Sequence, residues 1–308
     1  MGANNSTLKD KVDKKKKFLS DDGGDFISNS DDYINILPIN EDEAARTDEL
    51  HFVLKTLNGE SNFVAPIDEK LKDEDGFRVL DVGCGNGSWT LDMATEYKKA
   101  KFTALDILPI FPNEIRPKNV DFALGNILKG LDFESDTFDY VFMRCMKAAI
   151  SNDDWPKVIR ELLRILKPNG WLELCEIDGG FVNGSPEADS CFNRMEEKLL
   201  KKYGISLDLI ELLKKTFTDR FHSVVDVQYI RKDLPLCSRW DDPDKNKIAE
   251  VCRRNISWGA KNIGQAVDFL GLKPKEYEEY IEKVFDGTKN RPYCTMAYYR
   301  IIVRKIPK

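Results

Sequence analysis

Histidine is almost missing from this chain of 308 residues, which has only His51 and His222. Its seven cysteines (Cys84, Cys145, Cys175, Cys191, Cys237, Cys252 and Cys294) are scattered and form no C-x-x-C pair. No metal site is expected, because zinc ligands need closer and more regular spacing. The odd, dispersed cysteines predict reduced and mostly buried thiols. No window approaches the roughly 18 uncharged apolar residues of a membrane span. The opening Met1-Gly2-Ala3-Asn4-Asn5-Ser6 runs into lysines and lacks the apolar core of a secretory signal. The expectation is therefore a cytoplasmic or nuclear protein, for which the sequon Asn183-Gly184-Ser185 means nothing. Basic residues are outnumbered, 47 against 53 acidic, and the net charge of −6 argues against a surface that coats nucleic acid. No internal repeat is present.

What is there begins with uneven charge. Residues 1–20 carry six lysines and two aspartates, and residues 21–50 carry ten acids and one arginine. Residues 1–32 read as a disordered polar tail, basic and then acidic. Gly2 and Ser6 fit an N-myristoylation pattern, and Lys14–Lys17 would supply the second, electrostatic signal for membrane attachment. The same lysines also fit a nuclear-import patch, or a solvated tail.

From residue 33 to 308 the pattern is that of one folded domain. Residues 41–57 read as a helix with Leu50, Val53, Leu54 and Leu57 on one face. Apolar strands follow at Arg78 to Val82, Phe102 to Leu105, Val120 to Ala123, Phe138 to Met143 and Trp171 to Ile177. Helices lie between them at Ser88 to Tyr97 and Trp155 to Leu166, the latter with Asp154 placed to cap it. Strands apolar throughout and alternating with helices predict a Rossmann-like, doubly wound α/β sheet, mostly parallel and covered on both faces. The chain then reads as helical to about residue 218. Helices near 244–258 and 260–284 separate the last strand candidates, His222 to Arg231 and Cys294 to Arg304. Residues 181–285, approximately, make a helical insertion.

The informative stretch is Val79-Leu80-Asp81-Val82-Gly83-Cys84-Gly85-Asn86-Gly87, a strand that runs through glycines into a helix. Backbone N–H groups at such a helix start face the crevice above the sheet. Where the dinucleotide fingerprint wants a third glycine or alanine, this chain has Ser88. Asp81 places a carboxylate under the loop, where it would repel a pyrophosphate and attract an ammonium. That suits the amino-acid end of S-adenosylmethionine better than NAD. Asp106 closes the second strand, 19 residues after Gly87, where an acid can accept from both ribose hydroxyls. Asn126 follows the third strand and can bond the adenine edge, with Ile107 and Ile127 on the ring faces. Arg144 ends the fourth strand at the crevice.

These residues resemble the class I S-adenosylmethionine-dependent methyltransferases. The resemblance narrows to the fungal LaeA-like, secondary-metabolism regulator group. It does so through Ile36-Leu37-Pro38, Glu41-Asp42-Glu43, Arg46-Thr47-Asp48, Val64-Ala65-Pro66-Ile67, Asp154-Trp155-Pro156 and Leu166-Lys167-Pro168-Asn169-Gly170-Trp171. It implies a seven-stranded sheet with an antiparallel last strand. Gly83, Cys84, Gly85 and Gly87 would line the cofactor, Asp81 would meet its amino end, and Asp106 the ribose. Asn126 stands where the group usually has an acid. Arg144 joins the cofactor-binding set, with an anionic substrate or a neighbouring acid as its other partners.

The expected reaction is methyl transfer to a small-molecule or protein acceptor by in-line displacement, driven mainly by proximity. A hydroxyl acceptor would need a base; the candidates are Glu176 and Asp178, then His51, with His222 read as structural. The acceptor pocket is expected between the N-terminal helix and the 180–285 segment, with Phe181, Phe192, Trp240, Trp258 and Tyr277. Two other readings stand beside this one: a catalytically weak regulatory subunit acting through protein partners, and a nicotinamide dehydrogenase, which Ser88 and Asp81 disfavour.

Overall fold

The computed structural model describes residues 34, 36–112, 116–206, 208–266 and 271–307. The expected tail at 1–32, with Gly2 and Lys14–Lys17, lies outside the described residues. Seven strands form one sheet: β1 (Arg78–Val82), β2 (Lys101–Asp106), β3 (Val120–Leu124), β4 (Phe138–Arg144), β5 (Leu166–Val182), β6 (Val224–Pro235) and β7 (Thr295–Lys305). Their order is 3-2-1-4-5-7-6. Strands 1 to 5 pair in parallel, and β7 runs antiparallel to both β5 and β6. The helices are α1 (Glu41–Leu57), α2 (Asp68–Asp73), α3 (Ser88–Glu96), α4 (Trp155–Ile165), α5 (Pro186–Tyr203), α6 (Leu209–Arg220), α7 (Pro243–Ala266) and α8 (Pro274–Lys289).

Successive strand residues point to opposite faces, and here both faces are covered. Val79 packs with α1 and α3, whereas Leu80 and Val82 pack with α4 and α6. That is why β1 and β4 read as mostly apolar runs rather than as alternating ones. Helix α1 starts at Asn40, whose Oδ1 accepts the Glu43 N–H at 2.8 Å, and three acids in its first turn suit the positive end of the helix dipole. A third apolar cluster joins α5 and α8 and takes in Ile36 from the segment before α1.

Several local expectations are corrected. Asp154 makes no capping bond to α4; it stands in helical conformation and accepts instead from Ser151 Oγ at 2.7 Å. The 181–218 stretch is two helices, split after Tyr203 where Gly204 turns left-handed (φ 68°). Helix α7 continues unbroken past Gly259. The next helix begins only at Pro274, a residue suited to a first turn. Within the segment from 181 to 285 the strand expected at His222 to Arg231 is the edge strand β6, with α5 and α6 before it in the chain and α7 and α8 after it.

Among the described residues one ion pair is fully buried. Arg300 Nη1 on β7 lies 2.5 Å from Glu173 Oε1 on β5, at 1% and 0% side-chain exposure. Glu173 also accepts from the Val64 and Ala65 N–H groups at 3.0 Å each and from the Tyr140 hydroxyl at 3.0 Å. Such a pair tolerates the loss of one partner badly, because the other charge is left buried and unpaired. Glu173→Ala is expected to lower unfolding free energy by about 3–5 kcal/mol in urea denaturation. Glu173→Gln, which keeps an acceptor, is expected to lose less. A loss below about 1 kcal/mol for the alanine variant would show that the pair does not hold the 62–65 loop.

Candidate active site

β1 ends in a loop whose backbone only glycine adopts easily: φ is 71° at Gly83, 58° at Gly85 and 84° at Gly87. The loop is latched to the end of β2. Gly83 and Cys84 both donate to Leu105 O, at 2.7 and 3.0 Å, and Gly85 N–H donates to Asp106 Oδ2 at 2.9 Å. Asp106 Oδ1 accepts from Leu108 N–H at 2.9 Å, so each carboxylate oxygen keeps room for another donor. Burial raises its pKa, and the Leu108, Gly85 and Ile107 N–H groups oppose the shift. A cleft opens beside this latch. Gly83, Asp106, Ile107, Asn126 and Ile127 line it, together with Met146. Asn126 Oδ1 accepts from Leu128 N–H at 2.9 Å, which sets the amide at the rim.

The remaining sequence candidates sit around this cleft in different ways. Asp81 is 3% exposed and lies under the loop, where its Oδ2 accepts from Thr90 Oγ1 at 2.6 Å. Burial pushes its carboxyl up to about 6, against the pull of Thr90 and of Arg144. The Cys84 thiol is driven well above its ordinary value, chiefly by burial, and stays neutral. Helix α1 closes over the loop: Asn86 Nδ2 donates to Asp48 Oδ1 at 2.8 Å, and Ser88 Oγ donates to the same oxygen. His51 is fully buried on that helix. Its Nε2 lies 3.2 Å from Asp92 Oδ2 and its Nδ1 lies 3.3 Å from Arg144 Nη1, so neither nitrogen is open to an acceptor. His222 is exposed.

Next to the cleft lies an apolar cavity of about 170 Å³ between α1, β5, α5, α7 and α8. Phe181 and Phe192 line it as expected, with Leu50, Met195, Ile256 and Phe285. The other aromatic candidates do not. Tyr277 is buried in the α5–α8 cluster with its hydroxyl on Ala260 O, Trp240 packs edge-on to Tyr293, and Trp258 lines a surface groove. Residues 145–150 form a wall common to both spaces: Cys145, Lys147 and Ala148 face the cavity, and Met146, Ala149 and Ile150 the cleft.

Glu176 lies on the cavity side of that wall. Its two oxygens accept the Met146 and Lys147 N–H groups at 2.8 and 3.2 Å. Burial pushes its carboxyl up to about 7, within reach of neutral-pH proton transfer. Lys147 Nζ donates to Ile177 O, and burial lowers its pKa. Asp178 faces elsewhere, with its oxygens on Leu209 and Ile210 N–H at 2.5 and 3.1 Å, where it caps α6. Sequence reasoning missed Thr90, Asp92, Met146 and the cavity-lining Arg46. Arg46 stood inside a quoted motif, but nothing in the sequence reveals that its Nη1 meets Asn255 of α7 at 3.0 Å.

The donor set decides between nucleotide cofactors. A pyrophosphate would meet the buried Asp81 under the loop, whereas a zwitterionic amino-acid end finds opposite charges there in Asp81 and Arg144. Acid, amide and branched apolar side chains in the cleft suit a ribose and a flat base. With this sheet order, such a site defines a class I S-adenosylmethionine-dependent methyltransferase. Residues 79–170 match the methyltransferase-domain family. The secondary metabolism regulator laeA of Gibberella zeae is 32% identical over 286 residues, covering 86% of this chain and 83% of that protein. Methyltransferase str2 of Strobilurus tenacellus is 29% identical, covering 87% and 94%, and methyltransferase pytC of Aspergillus terreus 28%, covering 78% and 73%. The chain belongs to the LaeA-like group of these methyltransferases, and its cofactor is S-adenosylmethionine.

A methyl group added at Gly83 would lie 2.3 Å from Met146 Sδ and would force a left-handed backbone on alanine. Gly83→Ala is expected to weaken S-adenosylhomocysteine binding about tenfold or more, from strain of about 1–3 kcal/mol, and to lower the thermal midpoint by several degrees. Undiminished affinity by calorimetry would separate the loop from the cofactor.

Proposed function

We propose that the protein methylates an oxygen of a small, largely apolar molecule held in the cavity, with Glu176 as the base. The observation that carries this reading is one buried carboxylate, Glu176, on the wall of a largely apolar cavity that Arg46 and Lys147 also line, held by the N–H of Met146, which lines the cofactor cleft. In this reading Asp106 holds the ribose, Asn126, Ile107 and Ile127 hold the adenine, and Gly83, Cys84, Gly85 and Gly87 line the cofactor backbone. Asp81 and Arg144 receive its amino-acid end.

Bound S-adenosylmethionine supplies an electrophilic methyl group. The chain's own part is to orient the acceptor, exclude water and take a proton. The apolar walls desolvate the acceptor oxygen, and fixed approach geometry is worth on the order of 7–11 kcal/mol. Glu176, held by two backbone N–H groups, accepts the acceptor's O–H proton as its oxygen takes the methyl group. The cavity is small, so a folded protein surface does not suit it. The name of the Gibberella zeae relative supports a second role, regulation through protein partners, which the same fold could serve with or without turnover.

Assay of S-adenosylhomocysteine release against apolar phenols, apolar alcohols and lysine peptides tests the reading. Turnover is expected with the first or second class and not with the peptides. kcat should rise with pH through about 7 as Glu176 loses its proton, and Glu176→Gln should cost about 10²–10⁴-fold and abolish that rise. Peptide turnover, or an unchanged pH profile in Glu176→Gln, would contradict it.

A further inference from the structure

His51 is enclosed between α1 and α3 with both ring nitrogens engaged. A guanidinium can only donate, so Arg144 Nη1 donates to Nδ1, and the ring proton sits on Nε2, facing Asp92. Asp92 Oδ2 also accepts from Lys55 Nζ at 2.7 Å and Asn62 Nδ2 at 2.8 Å. The charged groups facing the imidazole are Asp92 from α3, Lys55 from its own helix and Arg144 from β4. Burial is the largest influence on the ring and lowers its pKa, with Arg144 and Lys55 acting the same way against Asp92. The imidazole is therefore neutral at pH 7.

Nδ1 is the one hydrogen-bond acceptor that Arg144 meets among the described residues. A neutral nitrogen fixes the direction of a guanidinium without cancelling its charge, as a carboxylate partner would. The remaining N–H donors stay available for an anion. The place of Arg144 says which anion. Val82 on β1 pairs with Met143 on β4, so Arg144 comes beside Gly83, the first glycine of the loop, and its charge is felt by Asp81 beneath.

We propose that Asp92, His51 and Arg144 form a relay that aims the Arg144 guanidinium at the carboxylate of the cofactor's amino-acid end, with His51 and Asp92 as positioning residues. This rests on the glycine loop being the S-adenosylmethionine site. Because His51 and Lys55 belong to α1, the relay also couples the seating of α1 to cofactor affinity.

The test is calorimetric titration with two probes: S-adenosylhomocysteine, and 5′-methylthioadenosine, which keeps the nucleoside and thioether but has no amino-acid end. Arg144→Met and His51→Ala are expected to weaken S-adenosylhomocysteine by about tenfold or more, the worth of a hydrogen bond to a charged group. Methylthioadenosine affinity should stay within about twofold. His51→Asn places an amide oxygen near the Nδ1 position and should recover most of the loss. A merely structural role for His51 would weaken both probes together, without rescue, and would overturn the relay. With only two histidines in the chain, nitrogen-15 spectra read the tautomer directly. A proton on Nε2 is expected, and a proton on Nδ1 at pH 7 would overturn the relay. Should His51→Ala fail to fold, Arg144→Met and the spectra still decide. Full S-adenosylhomocysteine affinity in Arg144→Met would remove the relay and leave the cofactor assignment standing. Binding of neither probe by the folded wild type would remove both.

Discussion

A carboxylate taken out of water needs donors, and β5 buries three of them at the edge of the site. Each is satisfied by two successive backbone N–H groups from a different loop. Glu173 takes Val64 and Ala65, Glu176 takes Met146 and Lys147, and Asp178 takes Leu209 and Ile210. One strand thus fastens the approach to α2, the wall between cleft and cavity, and the start of α6. Glu173 has the further support of Arg300, and Asp178 that of a helix N-terminus. Glu176 alone of the three lines the apolar cavity, so the anchor of the wall is also the base of the proposed reaction.

The cofactor side is built on the same economy of backbone donors. Gly83, Cys84 and Gly85 are tied to the last two residues of β2, so loop and acid form one unit. It sits where the strand order reverses, with β1 between β2 and β4, the usual place for a ligand in an open α/β sheet. Helix α1 reaches across from the acceptor side and touches the same loop through Asp48 and Ala44. The cleft and the cavity are thus adjoining spaces with residues 145–150 between them, and α1 both lines the cavity through Arg46 and Leu50 and bonds to the glycine loop.

Much of this was legible in the sequence. The mostly apolar strands and the glycine loop announced a parallel sheet with a nucleotide-type crevice, and Asp106 stood at the expected distance. The residues around the cleft were nameable because their positions follow from strand ends. Side-chain direction was not legible. Glu176 and Asp178 are two apart on one strand and looked equivalent, yet a register shift after Asp178 and the approach of α6 give them different partners. His51 looked available on a helix face, but Asp92, 41 residues away, and Arg144, 93 away, enclose it. Contacts of that range leave no periodic mark. Gly259 passed for a helix break because glycine is a poor helix former, yet α7 runs through it.

The central claim is that the loop and Asp106 together form an S-adenosylmethionine site. Calorimetric titration of S-adenosylmethionine into wild type and Asp106→Ala tests it most directly, because Asp106 both faces the cleft and holds Gly85. Micromolar binding by the wild type, lost in a variant that remains folded, is the predicted result. Equal affinity in the two proteins would contradict the account.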